Sequence, residues 1–332
     1  MIIGFPHRPG SGGPGSFQRR FEKKLIENGF KVVYKDDNIP PDLCFIIGGT
    51  KKLGWLLHLK KNNIPIIHRL DGLVWLHRKS FTGIKDLLRK EISRILIKTL
   101  HGYYADYIVY QSFFVAKWWD KVGFKKNKKY DIIYNGVDID TFKPNKNSTG
   151  EGIDLLAIEG NIDYSPFAID LLNFLQLELV QNGHFNSLIV YGEFAYKNNR
   201  DRLNADIIFK GKINRDDVQQ AYKSSIYLSL DVNAACPNTV IEALSSGIPV
   251  VGFDTGALKE LVPDNCGKVV PYGGNPWKLD KPKFDNIASG CLKVLKNWEQ
   301  FSNNARIHAE NKFDISTIFN QYIEVINKMN KK

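Results

Sequence analysis

The sequence predicts an α/β protein made of two domains, each with a parallel β-sheet. Short apolar runs alternate with longer amphipathic stretches from the N-terminus to about residue 270. Strands that alternate with helices in this way form parallel sheets covered by helices. A polar, glycine-containing stretch at 145–152 divides the alternation into two series. At 332 residues the chain is long for one core and suits two.

The first series is predicted to contain six strands, each an apolar run of four or five residues. They are residues 2–5, 31–34, 43–47, 64–68, 107–110 and 130–133. A helix is expected from about residue 16 to 28, after a glycine-rich loop at 9–15. Ligands of parallel sheets bind beyond the carboxyl ends of the strands, so polar residues at those ends are candidate site residues.

The second series is predicted to contain six further strands, followed by a helical run at 315–329. The strands are residues 155–158, 187–191, 207–209, 226–230, 250–253 and 268–270. Within this series, Asn238 is expected to cap a helix over 239–246, which Gly247 would end in the left-handed conformation. Glu242 would then lie in the first turn of that helix. A helix N-terminus suits an anion and a carboxylate suits a sugar diol, which together fit a nucleoside diphosphate.

Bulk properties exclude several classes of protein. With 43% hydrophobic residues the chain is globular, and no apolar run reaches the length of a membrane span. The N-terminus has no basic region, so no signal peptide is expected. The four cysteines are scattered without a C-x-x-C pair, which argues against zinc and favours a reducing compartment. The formal charge of +11 fits either an anionic partner or a solvated basic surface.

Two motifs resemble one enzyme family. Residues 237–251 read Pro-Asn-x-x-x-Glu-Ala-Leu-x-x-Gly-x-Pro-Val-Val, and Thr-Gly-Ala-x-x-Glu-Leu-Val follows at 255–262. Residues 133–138 read Ile-Tyr-Asn-Gly-Val-Asp, with Phe142 and Pro144 behind them. Both segments resemble the group-1 glycosyltransferases, the retaining family-4 enzymes of the GT-B fold. The glycine-rich stretch at 9–15 is a third and weaker match.

The resemblance implies two Rossmann-like domains whose parallel sheets face each other across a cleft. Residues 1–144 would form the acceptor-side domain and 145–314 the nucleotide-sugar donor domain, with a C-terminal helix at 315–330 packing back on the first. The reaction would move a sugar from a UDP- or GDP-linked donor to a glycan or lipid-linked acceptor, as in polysaccharide biosynthesis, with retention of configuration. No metal or other cofactor is expected. The protein would be cytoplasmic, or peripheral on the inner face of a membrane.

The resemblance also assigns residues to this site. Glu242 would hydrogen-bond the donor ribose. His68 or Asp71 would contact the reacting sugar, and we prefer Asp71 because Gly72 marks an exposed turn. The other predicted donor contacts are main-chain or short polar groups, namely Gly12, Gly13, Asn238, Thr239, Thr255 and Gly256.

The donor domain departs from the family in two ways. The family has a glutamate eight positions before Glu242, where this chain has Ala234, so Asp231 is a candidate substitute. The family's Gly-Arg…Lys-Gly segment supplies two cations to the diphosphate, whereas residues 160–167 here contain none. Replacement cations are sought among Lys210, Lys212, Arg215 and Arg8.

Among these cations Lys212 ranks first, because it lies just past the end of a predicted strand. The backbone N–H groups of Asn238 and Thr239 could also take over the role. These losses support one alternative function, a non-catalytic sugar-nucleotide or glycan-binding protein of GT-B fold.

The stretch 84–100 is predicted to be a basic amphipathic helix. We expect its apolar stripe to face the protein core, as in an ordinary surface helix. The alternative is contact with an anionic membrane surface, which basic amphipathic helices favour. Nucleic acid is not expected as a partner, because only the net charge supports it and no recognition motif is present.

Overall fold

The computed structural model describes residues 1–10, 12–73, 75–78, 83–122, 128–145 and 152–330. The chain forms two compact units. One consists of Met1–Asn135 with Ser316–Lys332, and the other of Gly136–Ile315. The chain therefore passes from the first unit to the second inside the Asn-Gly-Val-Asp segment.

The first unit is a six-stranded parallel sheet with helices. Its strands are ordered β2-β1-β3-β4-β5-β6. Their bounds are β1 Ile2–Phe5, β2 Lys31–Tyr34, β3 Leu43–Ile47, β4 Ile66–Leu70, β5 Tyr107–Tyr110 and β6 Lys129–Ile132. The helices are α1 Gly12–Glu27, α2 Leu53–Lys61, α3 Ile84–Thr99 and α4 Phe113–Lys121. The C-terminal helix α10, Ile315–Asn330, buries Ile318, Phe319 and Tyr322 in the same core as β1 and β3.

The second unit repeats this plan with the strand order β12-β11-β10-β7-β8-β9, again all parallel. Its strands are β7 Asp154–Asn161, β8 Leu188–Glu193, β9 Ile208–Gly211, β10 Ser225–Ser229, β11 Val250–Phe253 and β12 Gly267–Val270. Its helices are α5 Ala168–Leu175, α6 Asn238–Ser245, α7 Leu258–Leu261, α8 Phe284–Leu295 and α9 Trp298–Phe313. Each of the twelve predicted strands is present, and the predicted α/β class with two parallel sheets is confirmed.

Three local predictions were wrong, and two of them concern the first unit. Strand β4 begins at Ile66, two residues later than predicted, because Pro65 has no N–H to donate to a ladder. Helix α1 begins at Gly12 and not near residue 16. Pro14 is tolerated there, because the first turn of a helix does not use its N–H groups for intrahelical bonds. Gly15 allows the close turn, since a Cβ at this position would lie 2.0 Å from the carbonyl oxygen of Gly10.

The third correction concerns α6. The helix begins at Asn238 itself, and the cap position is held by Pro237 in an extended conformation. Glu242 is therefore the fifth helical residue and lies beyond the first turn. The helix ends at Ser245, with Ser246 as its C-cap, and Gly247 follows that cap in the predicted left-handed conformation, with a φ of +69°. The strand predicted at 250–253 is confirmed as β11.

Candidate functional site

Two loops are connected by hydrogen bonds and close packing at the carboxyl edge of the second sheet. One follows β10 and leads to α6, and the other follows β11 and leads to α7. Gly256 has a φ of +62°, and a Cβ on it would lie 2.4 Å from the carbonyl oxygen of Ala234. That oxygen accepts a hydrogen bond of 2.9 Å from the backbone N–H of Ala257. Oγ1 of Thr255 accepts a bond of 3.3 Å from the N–H of Asn233. Thr255 and Gly256 thus fix the loop that precedes α6.

Glu242 is buried beneath this loop, with 2% of its surface exposed. Its Oε1 accepts a hydrogen bond of 3.1 Å from Nη2 of Arg215. Its Oε2 lies 3.5 Å from the hydroxyl of Tyr222, which also donates to the carbonyl oxygen of Thr239 at 3.2 Å. Burial, followed by the charge of Glu242, raises the pKa of Tyr222 well above its usual range. Tyr222 therefore remains a proton donor, and it helps to hold the carboxylate in place.

The structure separates the candidate cations of the second unit. Lys212 follows β9, the outermost strand of its sheet, and pairs with Glu193 at 3.2 Å; both side chains are more than half exposed. Arg215 lies three residues further on, beside Glu242, with 44% of its side chain exposed. The geometry therefore favours Arg215 over Lys212 as the cation of this site. Arg8 belongs to the first unit, where it pairs with Asp37 at 3.1 Å.

A pair of carboxyl groups lies at the same edge of the sheet. Glu159 stands near the end of β7, and Asp231 follows the neighbouring strand β10. Burial and the charge of Asp231 raise the pKa of Glu159 well above its usual range. Glu159 was not among the predicted site residues, although it directly precedes Gly160 of the segment that lacks the expected cations. Asp231 is exposed at this edge.

Asn238 and Thr239 are the first two residues of α6, at the carboxyl edge of β10. The N-terminus of a helix carries a partial positive charge and attracts anions. The structure thus brings together five of the predicted residues with the candidate cation Arg215, and it adds Tyr222. The five are Asn238, Thr239, Glu242, Thr255 and Gly256.

In the first unit the two candidates for sugar contact differ in exposure. His68 lies inside β4, and its side chain is fully buried, with Nε2 2.6 Å from the carbonyl oxygen of Gly48. Burial lowers the pKa of His68 to about 3, so the ring is neutral. Asp71 follows the strand, and 32% of its side chain is exposed. Burial raises the pKa of Asp71, while Arg69 opposes the shift. Of the two, Asp71 is placed to meet a ligand.

Arg69, which sequence reasoning missed, connects Asp71 to several residues of the first unit. Its guanidinium stacks 3.7 Å from the ring centre of Phe17 and donates to the hydroxyl of Tyr322 at 3.1 Å. It also donates to Oδ1 of Asn135 and, at 3.4 Å, to Oδ1 of Asp71. Only 1% of the side chain is exposed. The asparagine of the Asn-Gly-Val-Asp motif therefore orients an arginine that, in turn, orients Asp71.

Gly12 and Gly13 lie in the first turn of α1, directly after the segment that leaves β1. No heavy atom lies within 4 Å of the position that a Cβ would take on either residue. Their backbone is therefore accessible, as contact with a phosphate or sugar requires. Within the described ranges, no group of three or more His, Cys, Asp or Glu side chains is arranged to hold a metal ion.

Part of the second unit matches a known family model. Residues 170–296 match the family model described as glycosyl transferases group 1. The chain has no match among curated protein sequences.

Several solved structures share the fold. Sucrose-phosphate synthase from Thermosynechococcus elongatus superposes with a TM-score of 0.74 at 15% identity, over 99% of this chain and 98% of the synthase. HepE from Anabaena, solved with UDP-glucose, gives 0.70 at 16% identity, over 98% and 99%. A mutant of S. aureus TarM, solved with Fondaparinux, α-GlcNAc-glycerol and UDP, gives 0.63 at 16% identity, over 86% of this chain and 55% of TarM. A segment of the second unit therefore matches the group 1 glycosyl transferases, and the chain has the GT-B fold, as the resemblance drawn from the motifs implies.

Proposed function

We propose that the protein is a retaining glycosyltransferase that transfers a sugar from a nucleoside diphosphate to a glycan or lipid-linked acceptor. One observation carries the proposal. A buried glutamate of α6 is paired with a partly exposed arginine, and the N-terminus of the same helix follows one of the two connected loops. All of these groups lie inside the segment that matches the family. A carboxylate suits a ribose diol, and a guanidinium with a helix N-terminus suits a diphosphate. UDP is the first nucleotide to test, since HepE was solved with UDP-glucose.

In this proposal Glu242 accepts hydrogen bonds from the ribose hydroxyls, and Arg215 contacts the diphosphate. Arg215 takes over the role of the cations that are missing from residues 160–167. Negative charge develops on the leaving phosphate as the glycosidic bond breaks, and a fixed cation in a partly buried site stabilises that charge. The N-terminus of α6 adds further positive potential.

Asp71 and the carboxyl pair are proposed to act on the sugars. Asp71, oriented by Arg69, is our candidate for contact with the reacting sugar. Glu159 and Asp231 replace the glutamate that is absent at position 234, because both lie at this edge of the sheet and the raised pKa of Glu159 favours a pair that keeps a proton. Such a pair can both accept from and donate to sugar hydroxyls. No metal requirement is expected, so activity should survive chelation by EDTA.

A nucleotide-sugar screen by thermal shift tests the proposal, followed by measurement of donor hydrolysis with the best binder. A stabilising nucleotide sugar that is slowly hydrolysed, with a larger rate when acceptor glycans are added, is the expected result. Binding without hydrolysis or transfer under any condition would favour the non-catalytic sugar-nucleotide binding protein. No binding of any nucleotide would overturn both functions.

A further inference from the structure

Helix α3 exposes much of its apolar surface, unlike an ordinary surface helix. All sixteen of its residues are described, and the one that is buried is a cation, Arg94. Four aliphatic side chains are instead exposed, by 54% to 68% of their surface. They are Ile84, Leu88, Ile92 and Ile95. The expectation that the apolar stripe of this helix faces the core was therefore wrong for these four residues, whereas Leu96 does pack against a buried cluster.

The exposed side chains form a continuous stripe. Their spacings of four, four and three residues place them on one face of a helix about 24 Å long. Isolated exposed aliphatic residues are common on protein surfaces, but a contiguous apolar face of this kind marks an interaction site.

Beside this stripe, α3 is attached to the protein through charge. Glu91 accepts hydrogen bonds from Arg78 at 2.6 and 2.7 Å, and its Oε1 lies 2.7 Å from Nε2 of the buried His77. Arg94 adds a further ion pair with Glu91 at 3.6 Å. Leu96 packs against a buried cluster of the first unit, while the four stripe residues stay exposed.

Cations flank the outward face. Lys85 and Arg89 are exposed, and they follow the stripe residues Ile84 and Leu88 by one position, which places them along one edge of the stripe. The helix carries five cations and two carboxylates, a net charge of +3. Both carboxylates are already paired with cations, Asp86 with Arg89 and Lys90 and Glu91 as described above. The whole chain, including this helix, has a net charge of +11.

We propose that the outward face of α3, defined by Ile84, Leu88, Ile92 and Ile95 with Lys85 and Arg89, docks on an anionic lipid surface. An apolar stripe with basic residues at its edge enters the headgroup boundary, where the aliphatic chains leave water and the cations meet lipid phosphates. No helix in the described part of the chain has the length and apolarity to cross a membrane, so α3 would lie in the plane of the surface. The inference does not depend on which sugar the protein transfers.

Co-sedimentation of the full chain with lipid vesicles tests this proposal. Vesicles of phosphatidylcholine alone are compared with vesicles that also contain phosphatidylglycerol. The test variant is the triple substitution Leu88→Gln, Ile92→Gln and Ile95→Gln, since glutamine retains helix propensity. The matched control changes three exposed aliphatic residues of other helical segments with similar exposure, Ile26→Gln, Leu177→Gln and Ile307→Gln.

The wild type and the control should bind the anionic vesicles and show little binding to the neutral ones. The test variant should lose at least about tenfold in apparent affinity. Lys85→Gln with Arg89→Gln should weaken binding and reduce its salt dependence, because exposed charges are screened. Thermal unfolding and nucleotide binding of all variants should match the wild type.

Equal binding of the test variant and the wild type to anionic vesicles would overturn the proposal. So would the absence of wild-type binding. A self-association that the test variant abolishes, without any binding to vesicles, would instead assign the stripe to contact between copies of the chain.

Discussion

Arg215 donates a hydrogen bond of 3.1 Å from Nη2 to Oε1 of Glu242, joining a half-exposed cation to a carboxylate that is almost completely buried. The carboxylate is fixed from its other side by the hydroxyl of Tyr222. In an ion pair with one buried and one exposed group, both groups can contact the same ligand. The buried end presents an oriented acceptor, and the exposed end presents a charge.

The first prediction concerns the cation. If Arg215 stabilises the leaving diphosphate, Arg215→Ala should lower kcat by more than about tenfold, whereas Arg215→Lys should recover part of the loss. Lys212→Ala is the matched control, because Lys212 is three residues away and pairs with Glu193 on the surface. Its kcat should stay within about twofold of the wild type, since exposed ion pairs contribute little. The reverse order of effects would restore Lys212 as the diphosphate ligand.

The second prediction concerns the carboxylate. Glu242→Gln should weaken UDP binding by roughly 1–3 kcal/mol, because a charged acceptor is lost from a buried site. Isothermal titration calorimetry measures this directly. Glu193→Gln is the control, as it removes an exposed glutamate of the same unit and should leave the affinity unchanged. Unaltered UDP affinity in a folded Glu242→Gln protein would remove Glu242 from the nucleotide site.

The strands were predicted well because their signal is local. Each is a short apolar run between polar or glycine-rich segments, and buried parallel strands need little else. The error at β4 also has a local cause, in Pro65. It had a functional consequence, however, because the shift of two residues moves His68 from the strand end into the strand interior and leaves Asp71 at the end.

The contacts of Arg69 could not be predicted from the sequence. In the sequence, a buried arginine near the end of an apolar strand looks the same as a solvent-exposed residue that follows the strand. Its burial depends on Phe17, on Asn135 and on Tyr322, which lies 253 residues further along the chain. Helix α3 shows a related limit. Its periodicity reveals the apolar positions but not which of them pack against the protein, because Leu96 does so whereas Leu88 and Ile92 are exposed.

The third prediction tests the two connected loops. Gly256→Ala should weaken nucleotide binding and lower the free energy of unfolding by roughly 1–3 kcal/mol, because φ is positive and the new Cβ would lie 2.4 Å from a backbone oxygen. Gly54→Ala is the control. Gly54 lies within α2 with open space around it, so alanine should be neutral or slightly stabilising. Wild-type stability of Gly256→Ala, measured by urea denaturation, would contradict the contact between the two loops.

The last prediction uses the carboxyl pair. The pKa of Glu159 is raised by burial and by Asp231, so the folded state retains a proton that the unfolded chain releases. The stability contributed by this proton is complete below the unfolded pKa and is lost as the pH rises towards the folded pKa. Glu159→Gln keeps a neutral side chain at every pH. As the pH rises above the unfolded pKa of a glutamate, the free energy of unfolding should therefore fall more steeply for the wild type than for Glu159→Gln. Parallel curves from urea denaturation would show that Glu159 does not retain a proton in the folded protein.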